Sequence, residues 1–274
     1  KAICVSQAMR PDCRSTRIGK PAKPMSILTL IAVCATMLVT NFLSGLFGMA
    51  GGVILIGLLL VLLPVQQAMV LHGITQLASN IWRVIVWRAH IRWDIALVYS
   101  IGSLIALALW SITRYVPDKA VAFLMLGVTP FLTMVMPKDM RPDAESRPQA
   151  IGYGIGCTGL ILLTGVAGPM LDTFFLGGKL ERRQIMATKS VCQVLGHTVK
   201  LVYFAGIVVD PGTVDYLTAG LAILMAAIGT AAAKPVVEML SDQTYRLWAN
   251  RIVVSVSAYY TCYGVWLFAG PLFD

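Results

Sequence analysis

The sequence reads as an all-α, polytopic membrane protein with about 8–10 hydrophobic segments long or half-long on the scale of a bilayer. Three observations lead there. The chain is 57% hydrophobic and 13% charged, where a soluble domain carries about 25% charged residues. Apolar runs with few charges recur along nearly its whole length of 274 residues. Glycine-rich interruptions, Phe47–Gly52 and Thr164–Pro169, fall inside apolar runs 117 residues apart, which points to two internal repeats with broken or re-entrant helices at the glycines.

The first 24 residues carry six Lys and Arg and three prolines. They read as a basic cytoplasmic or peripheral tail, with Met25 a sensible alternative start. The apolar run that follows is too long for a signal-peptide core. Ser26–Leu46 is the first span, and Val53–Leu63 is a short apolar piece ended by Pro64. At 1.5 Å per residue that piece covers about half a membrane. Gln67–Trp87 is long enough to cross but unusually polar. Ile95–Thr113 and Lys119–Met136 are plainer spans. Pro137–Pro148 is the one hydrophilic linker. Beyond it come Ile151–Leu163, the short Met170–Leu176, the polar-interrupted Gln184–Ile207, Val214–Ala233, a loop over 234–246, and Leu247–Phe268. The expected division is a tail over 1–24, repeat 1 over 25–136, a linker over 137–149 and repeat 2 over 150–274.

An ungapped shift of 117 residues places Gly48, Ala50 and Gly51 on Gly165, Ala167 and Gly168. It also places Gln67, Met69 and Gln76 on Gln184, Met186 and Gln193, Asn80 on His197, and Arg83 on Lys200. Polar groups at membrane depth are costly, so their recurrence at one offset carries more weight than apolar identities. Five segments per half would make the repeats inverted; a non-crossing short segment would make them parallel. Basic loops at Arg88/Arg92, 137–148 and Lys179/Arg182/Arg183 favour the inverted arrangement, while the basic tail argues the other way.

His72, Gln76, Asn80 and Arg83 lie four, four and three residues apart, on one face of a helix, with Thr75 and Ser79 beside them. The duplicate face is Lys189, Gln193, His197 and Lys200. A charge inside a bilayer lines a cavity or pairs with something. The functional reading is an anion site between the repeats, built from Gly48, Ala50, Gly51, Gly52, Thr75, Gln76, Ser79 and Asn80 in one half and Gly165, Ala167, Gly168, Gln193 and His197 in the other. Arg83, Lys200 and Asp172 are its candidate charge partners. The bland alternative is polar glue between helices, with Arg83 and Lys200 snorkelling to a surface. Helices restarting after Gly51-Gly52 and after Gly168-Pro169 would aim free N–H groups into the breaks. Packing alone is the competing role for these glycines. Asp172, just inside the second restart, either stabilises the helix N-terminus, the favoured role, or acts as a proton-coupling carboxylate.

Other chemistry finds little support. The net charge of +9 comes from basic residues spread singly over loops and the tail, as membrane orientation expects, and no basic, aromatic-interleaved patch points to nucleic acid. The cysteines show no CxxC or Cys/His spacing and read as small buried hydrophobes. His72 and His197 look too isolated for a metal site. No nucleophile elbow, intramembrane carboxylate pair, HExxH or Walker loop occurs, so no catalytic residue and no cofactor are expected.

The opening Ser44-Gly45-Leu46-Phe47-Gly48-Met49-Ala50-Gly51-Gly52, the later Pro64, the polar helix after it and the recurrence of this pattern together resemble the TauE/SafE sulfite-exporter family, over roughly Thr29 to Phe268. Met49-Ala50 and Val166-Ala167 stand where that family more often has glycine, and Pro169 replaces a second glycine. The resemblance implies a multi-pass permease of the bacterial inner membrane. Its substrate would be sulfite, sulfoacetate or another small organosulfur anion, moved by secondary transport with alternating access. The expected partners are that anion, the lipid bilayer and a coupling ion, proton or sodium, with no nucleic acid. The rival is a non-transporting assembly or receptor component that keeps the glycines for packing only.

Overall fold

A computed structural model describes residues 26–47, 49–135, 142–176, 180–208, 214–239 and 242–270. Among these, the regular structure is all helical. The helices are α1 (Ile27–Phe47), α2 (Met49–Leu62), α3 (Val65–Trp87), α4 (Trp93–Thr113), α5 (Lys119–Val135), α6 (Arg147–Thr164), α7 (Gly168–Leu176), α8 (Arg182–Leu201), α9 (Tyr216–Met239) and α10 (Asp242–Ala269). The tail over 1–24, Gly48, linker residues 137–141 and the Asp210-Pro211-Gly212 turn lie outside the described residues.

Five stretches are long and apolar enough to cross a membrane: Ile27–Phe47, Trp93–Thr113, Arg183–Ile207, Tyr216–Ala233 and Leu247–Ala269. The chain is therefore a multi-pass membrane protein. α3 matches these helices in length, yet its His, Gln, Asn and Arg residues keep it out of that set. α2, with 14 residues, is about 21 Å long, well short of a hydrocarbon core of about 30 Å. α7, with 9 residues, is about 14 Å long. Large apolar side chains on the outward faces are bare of protein, among them Leu28, Ile112 and Val135, as lipid-facing residues must be.

The most extensive helix pairings are α1 with α9, α5 with α10, α4 with α6 and α3 with α8. Each joins a helix from before the hydrophilic linker to one from after it, so the two halves of the chain interleave. Two apolar clusters result. One gathers Leu55, Ile56, Leu59, Phe123, Tyr203 and Phe204. The other gathers Tyr99, Cys157, Phe174, Phe175 and Cys192. At one rim, Arg92 ties three segments together: its N–H donates to Thr188 Oγ1 at 3.0 Å, and its guanidinium reaches Asp94 at 2.7 Å and Glu145 at 2.9 Å.

Several expected boundaries shift, for identifiable reasons. Gly51 and Gly52 do not break a helix; they lie in the first turn of α2, which starts at Met49. A side chain at Gly51 would collide with the backbone of Thr40 and Ser44 in α1, so glycine permits the close approach of α1 and α2 there. The second restart likewise begins at Gly168 rather than after Pro169. α6 ends at Thr164, with Gly165 at φ 90° donating its N–H to Ile161 O at 2.8 Å. That left-handed cap favours glycine strongly.

The loop expected over 234–246 is mostly helix, because α9 runs to Met239 through Pro235 and α10 begins at Asp242. Hydropathy marks where hydrocarbon ends, not where backbone hydrogen bonding ends. Arg147 and Pro148, assigned to the linker, open α6, where the missing proline N–H costs nothing. Cys157 and Cys192 are buried as expected, while Cys262 is exposed.

Candidate functional site

The site is a polar seam where α3 crosses α8 beside the start of α2 and the turn before α7. Its centre is Lys200, fully buried on α8. The ammonium donates to His72 Nδ1 at 2.7 Å and to the Gly165 carbonyl at 3.1 Å. His72, also fully buried, donates from Nε2 to the Gly52 carbonyl, at 3.0 Å. One neutral tautomer satisfies both ring nitrogens: Nδ1 accepts and Nε2–H donates. The chain Gly52 O, His72, Lys200, Gly165 O thus spans the two glycine-bearing segments. Room for the lysine comes from Gly73, where a Cβ would sit 3.2 Å from Lys200 Cε.

Around this bridge lie polar atoms that find no partner among the described residues. Gln76 Nε2, Ser79 Oγ, Asn80 Oδ1 and His197 Nδ1 are all buried and unpaired. Gln76 Nε2 lies 3.2 Å from where a Cβ would stand at Gly52. The His197 ring meets the His72 ring edge-on, with centroids 5.6 Å apart. Asn80 donates to the Gln76 carbonyl at 2.8 Å, and Thr75 to the Leu71 carbonyl at 2.7 Å. Buried polar groups are ordinarily satisfied, so these four on two crossing helices leave hydrogen-bonding capacity beside the bridge. Beside Gly165, Val53, Thr129, Pro130, Thr164, Val166 and Pro169 line a narrow cleft too tight to hold a water molecule.

The remaining candidates fall as follows. Ala50 and Ala167 are buried near the two restarts. Gln193 is half-buried, and so is Arg83 on the later part of α3. The Asp172 carboxylate, in the early part of α7, pairs with Lys189 Nζ on α8. Lys200 does not snorkel, being wholly enclosed. His72 and His197 are not isolated from each other, although no cluster of three or more His, Cys, Asp or Glu side chains suited to a metal forms among the described residues.

Two contributors lie outside the expected site. His72 belonged to the polar stripe but not to the candidate site, although its position corresponds to Lys189 at the 117-residue offset. Directly after Lys200, residues Val202–Ile207 form a π-helical turn, with Val208 N–H donating to Tyr203 O at 3.0 Å. Such bulges are frequent at functional positions, and nothing in the local sequence announces this one.

A multi-pass helical protein with a buried, cation-centred polar seam between its halves has the anatomy of a membrane transporter. The match to a family model agrees: residues 33–260 fit the family described as Sulfite exporter TauE/SafE. The chain belongs to that family, whose members are permeases rather than enzymes. No curated protein and no solved structure matches it.

Proposed function

We propose that this protein is a secondary transporter that moves a small anion such as sulfite, sulfoacetate or another organosulfonate across the bacterial inner membrane. The observation that carries this reading is the Lys200–His72 bridge, which holds a buried ammonium among unpaired polar atoms beside both glycine segments. A cation bonded to no carboxylate among the described residues, near buried donors such as Gln76 Nε2, is what an oxyanion requires. Alternating access follows from an inverted pair of five-helix repeats, 25–136 and 150–274, moving against each other about the seam. The swapped pairings of α1 with α9 and α4 with α6 support that division, since exchanging the halves turns one pair into the other.

The test is flux into proteoliposomes, or thermal stabilisation in detergent, with sulfite, organosulfonates, thiosulfate and chloride. Saturable transport of one or more sulfur oxyanions, exceeding that of chloride, is expected. Silence toward all of them would remove the transporter reading in this form. It would favour the rival, a non-transporting membrane component in which the glycines serve packing, as Gly51 does against α1.

A further inference from the structure

The seam's charge inventory narrows the substrate. We infer that the site selects singly charged oxyanions, and that a dianion enters only with one proton attached; this rests on the transporter reading above. Among the described residues, Lys200 is the one Lys or Arg side chain at the bridge, fully buried and bonded to His72 Nδ1 and Gly165 O. His72 cannot share that role while it accepts from Lys200 at Nδ1 over 2.7 Å and donates to Gly52 O. Protonating it would end the first bond and set two cations side by side. His197, edge-on to His72 at 5.6 Å, would meet the same repulsion.

Other charges are remote or already matched. Lys189 lies eleven residues before Lys200 on α8, about 17 Å along the axis, and is paired with Asp172. Arg83 stands equally far from His72 on α3, about 17 Å away. α4 and α6, the other long helices against α8, carry acidic or basic residues only in their first turns. α9, packed on α3, carries Lys234 and Glu238 only near its end. The seam therefore offers one group, Lys200, able to carry a positive charge opposite a bound anion, and otherwise neutral donors. A monoanion leaves it neutral. A dianion would leave a net negative charge in a medium of low dielectric, which is strongly disfavoured. Hydrogen sulfite and monosulfonates fit; sulfate, and sulfoacetate with both acids ionised, do not.

The experiment measures binding to the purified full-length protein by calorimetry, at matched ionic strength, for methanesulfonate, sulfate and sulfite. Methanesulfonate is expected to bind at least about tenfold tighter than sulfate. Sulfite affinity is expected to fall more steeply than that of methanesulfonate as pH rises through neutrality, because only sulfite loses its own proton there. The variant His197→Lys, which adds a second amine that a bound dianion can hold protonated, should shift preference toward sulfate. Equal or tighter binding of sulfate by the parent protein, lost in Lys200→Gln, would overturn the charge inference and leave the anion site standing. An unchanged preference in His197→Lys would overturn it equally. Absence of binding by all three anions would overturn the transporter reading itself, and the inference with it.

Discussion

Lys200 and His72, 128 residues apart in sequence, share a hydrogen bond of 2.7 Å in the middle of the protein. Each also holds a backbone carbonyl, Lys200 that of Gly165 ahead of α7 and His72 that of Gly52 in the first turn of α2. This links the polar helices α3 and α8 to the segments where the chain interrupts its apolar runs. In the transport reading proposed above, this pair is where a substrate group would be coupled to the two glycine-bearing segments.

Replacing Lys200 by Met keeps most of the side chain's volume and removes its charge and its donors. Anion flux should fall by about tenfold or more, equivalent to roughly 1.4 kcal/mol, while membrane expression and the gel-filtration profile hold. Wild-type flux in this variant would show that the ammonium is structural only.

Gln76 and Gln193 occupy equivalent places at the 117-residue offset, yet their settings differ. Gln76 is buried with its amide nitrogen unpaired, while Gln193 is half-buried. Gln76→Ala should weaken anion affinity by about 1–3 kcal/mol, the range for losing a buried partner. Gln193→Ala should cost clearly less. Titration of thermal stabilisation against anion concentration gives both values; unchanged affinity in both variants would reduce these residues to helix packing.

Asp172 and Lys189 form a partly buried ion pair between α7 and α8, with side chains 29% and 17% exposed. A double-mutant cycle with Asp172→Asn and Lys189→Met should return a coupling near 1 kcal/mol, roughly, after allowance for solvent screening. Thermal unfolding in detergent reads it. No measurable coupling would mean that the pair does not hold α7 in place.

Gly165 combines a φ of 90° with close neighbours, Ile56 Cγ1 at 2.7 Å from a hypothetical Cβ. Gly165→Ala should destabilise the protein by at least the roughly 1–2 kcal/mol of a left-handed non-glycine residue. It should also lower flux, because the displaced carbonyl is the one Lys200 holds. A fully stable, fully active Gly165→Ala protein would contradict both expectations.

The spans were largely legible in the sequence. α1 was expected at Ser26–Leu46 and runs Ile27–Phe47; α4 was expected at Ile95–Thr113 and runs Trp93–Thr113. Burial of an apolar side chain in lipid depends on local composition, which a sequence window measures directly. Family membership was legible too, from the glycine-rich opening of Ser44–Gly52. Helix ends were harder. α9 continues past Lys234, and Gly51-Gly52 is helical, because main-chain hydrogen bonds persist where composition changes.

By itself the sequence determined that the chain is a helical membrane protein, where its apolar runs lie, and that His72, Gln76, Asn80 and Lys200 stand on polar helix faces. Those properties depend on residues within a few positions of one another, and the 3.6-residue period displays them. Only the tertiary structure decided that Lys200 meets His72, that Asp172 pairs with Lys189, and that Gly51 lies against α1. Each of these depends on how helices cross. Crossings are set by the packing of whole faces, such as α3 on α8 and α1 on α2, from residues far apart in the chain.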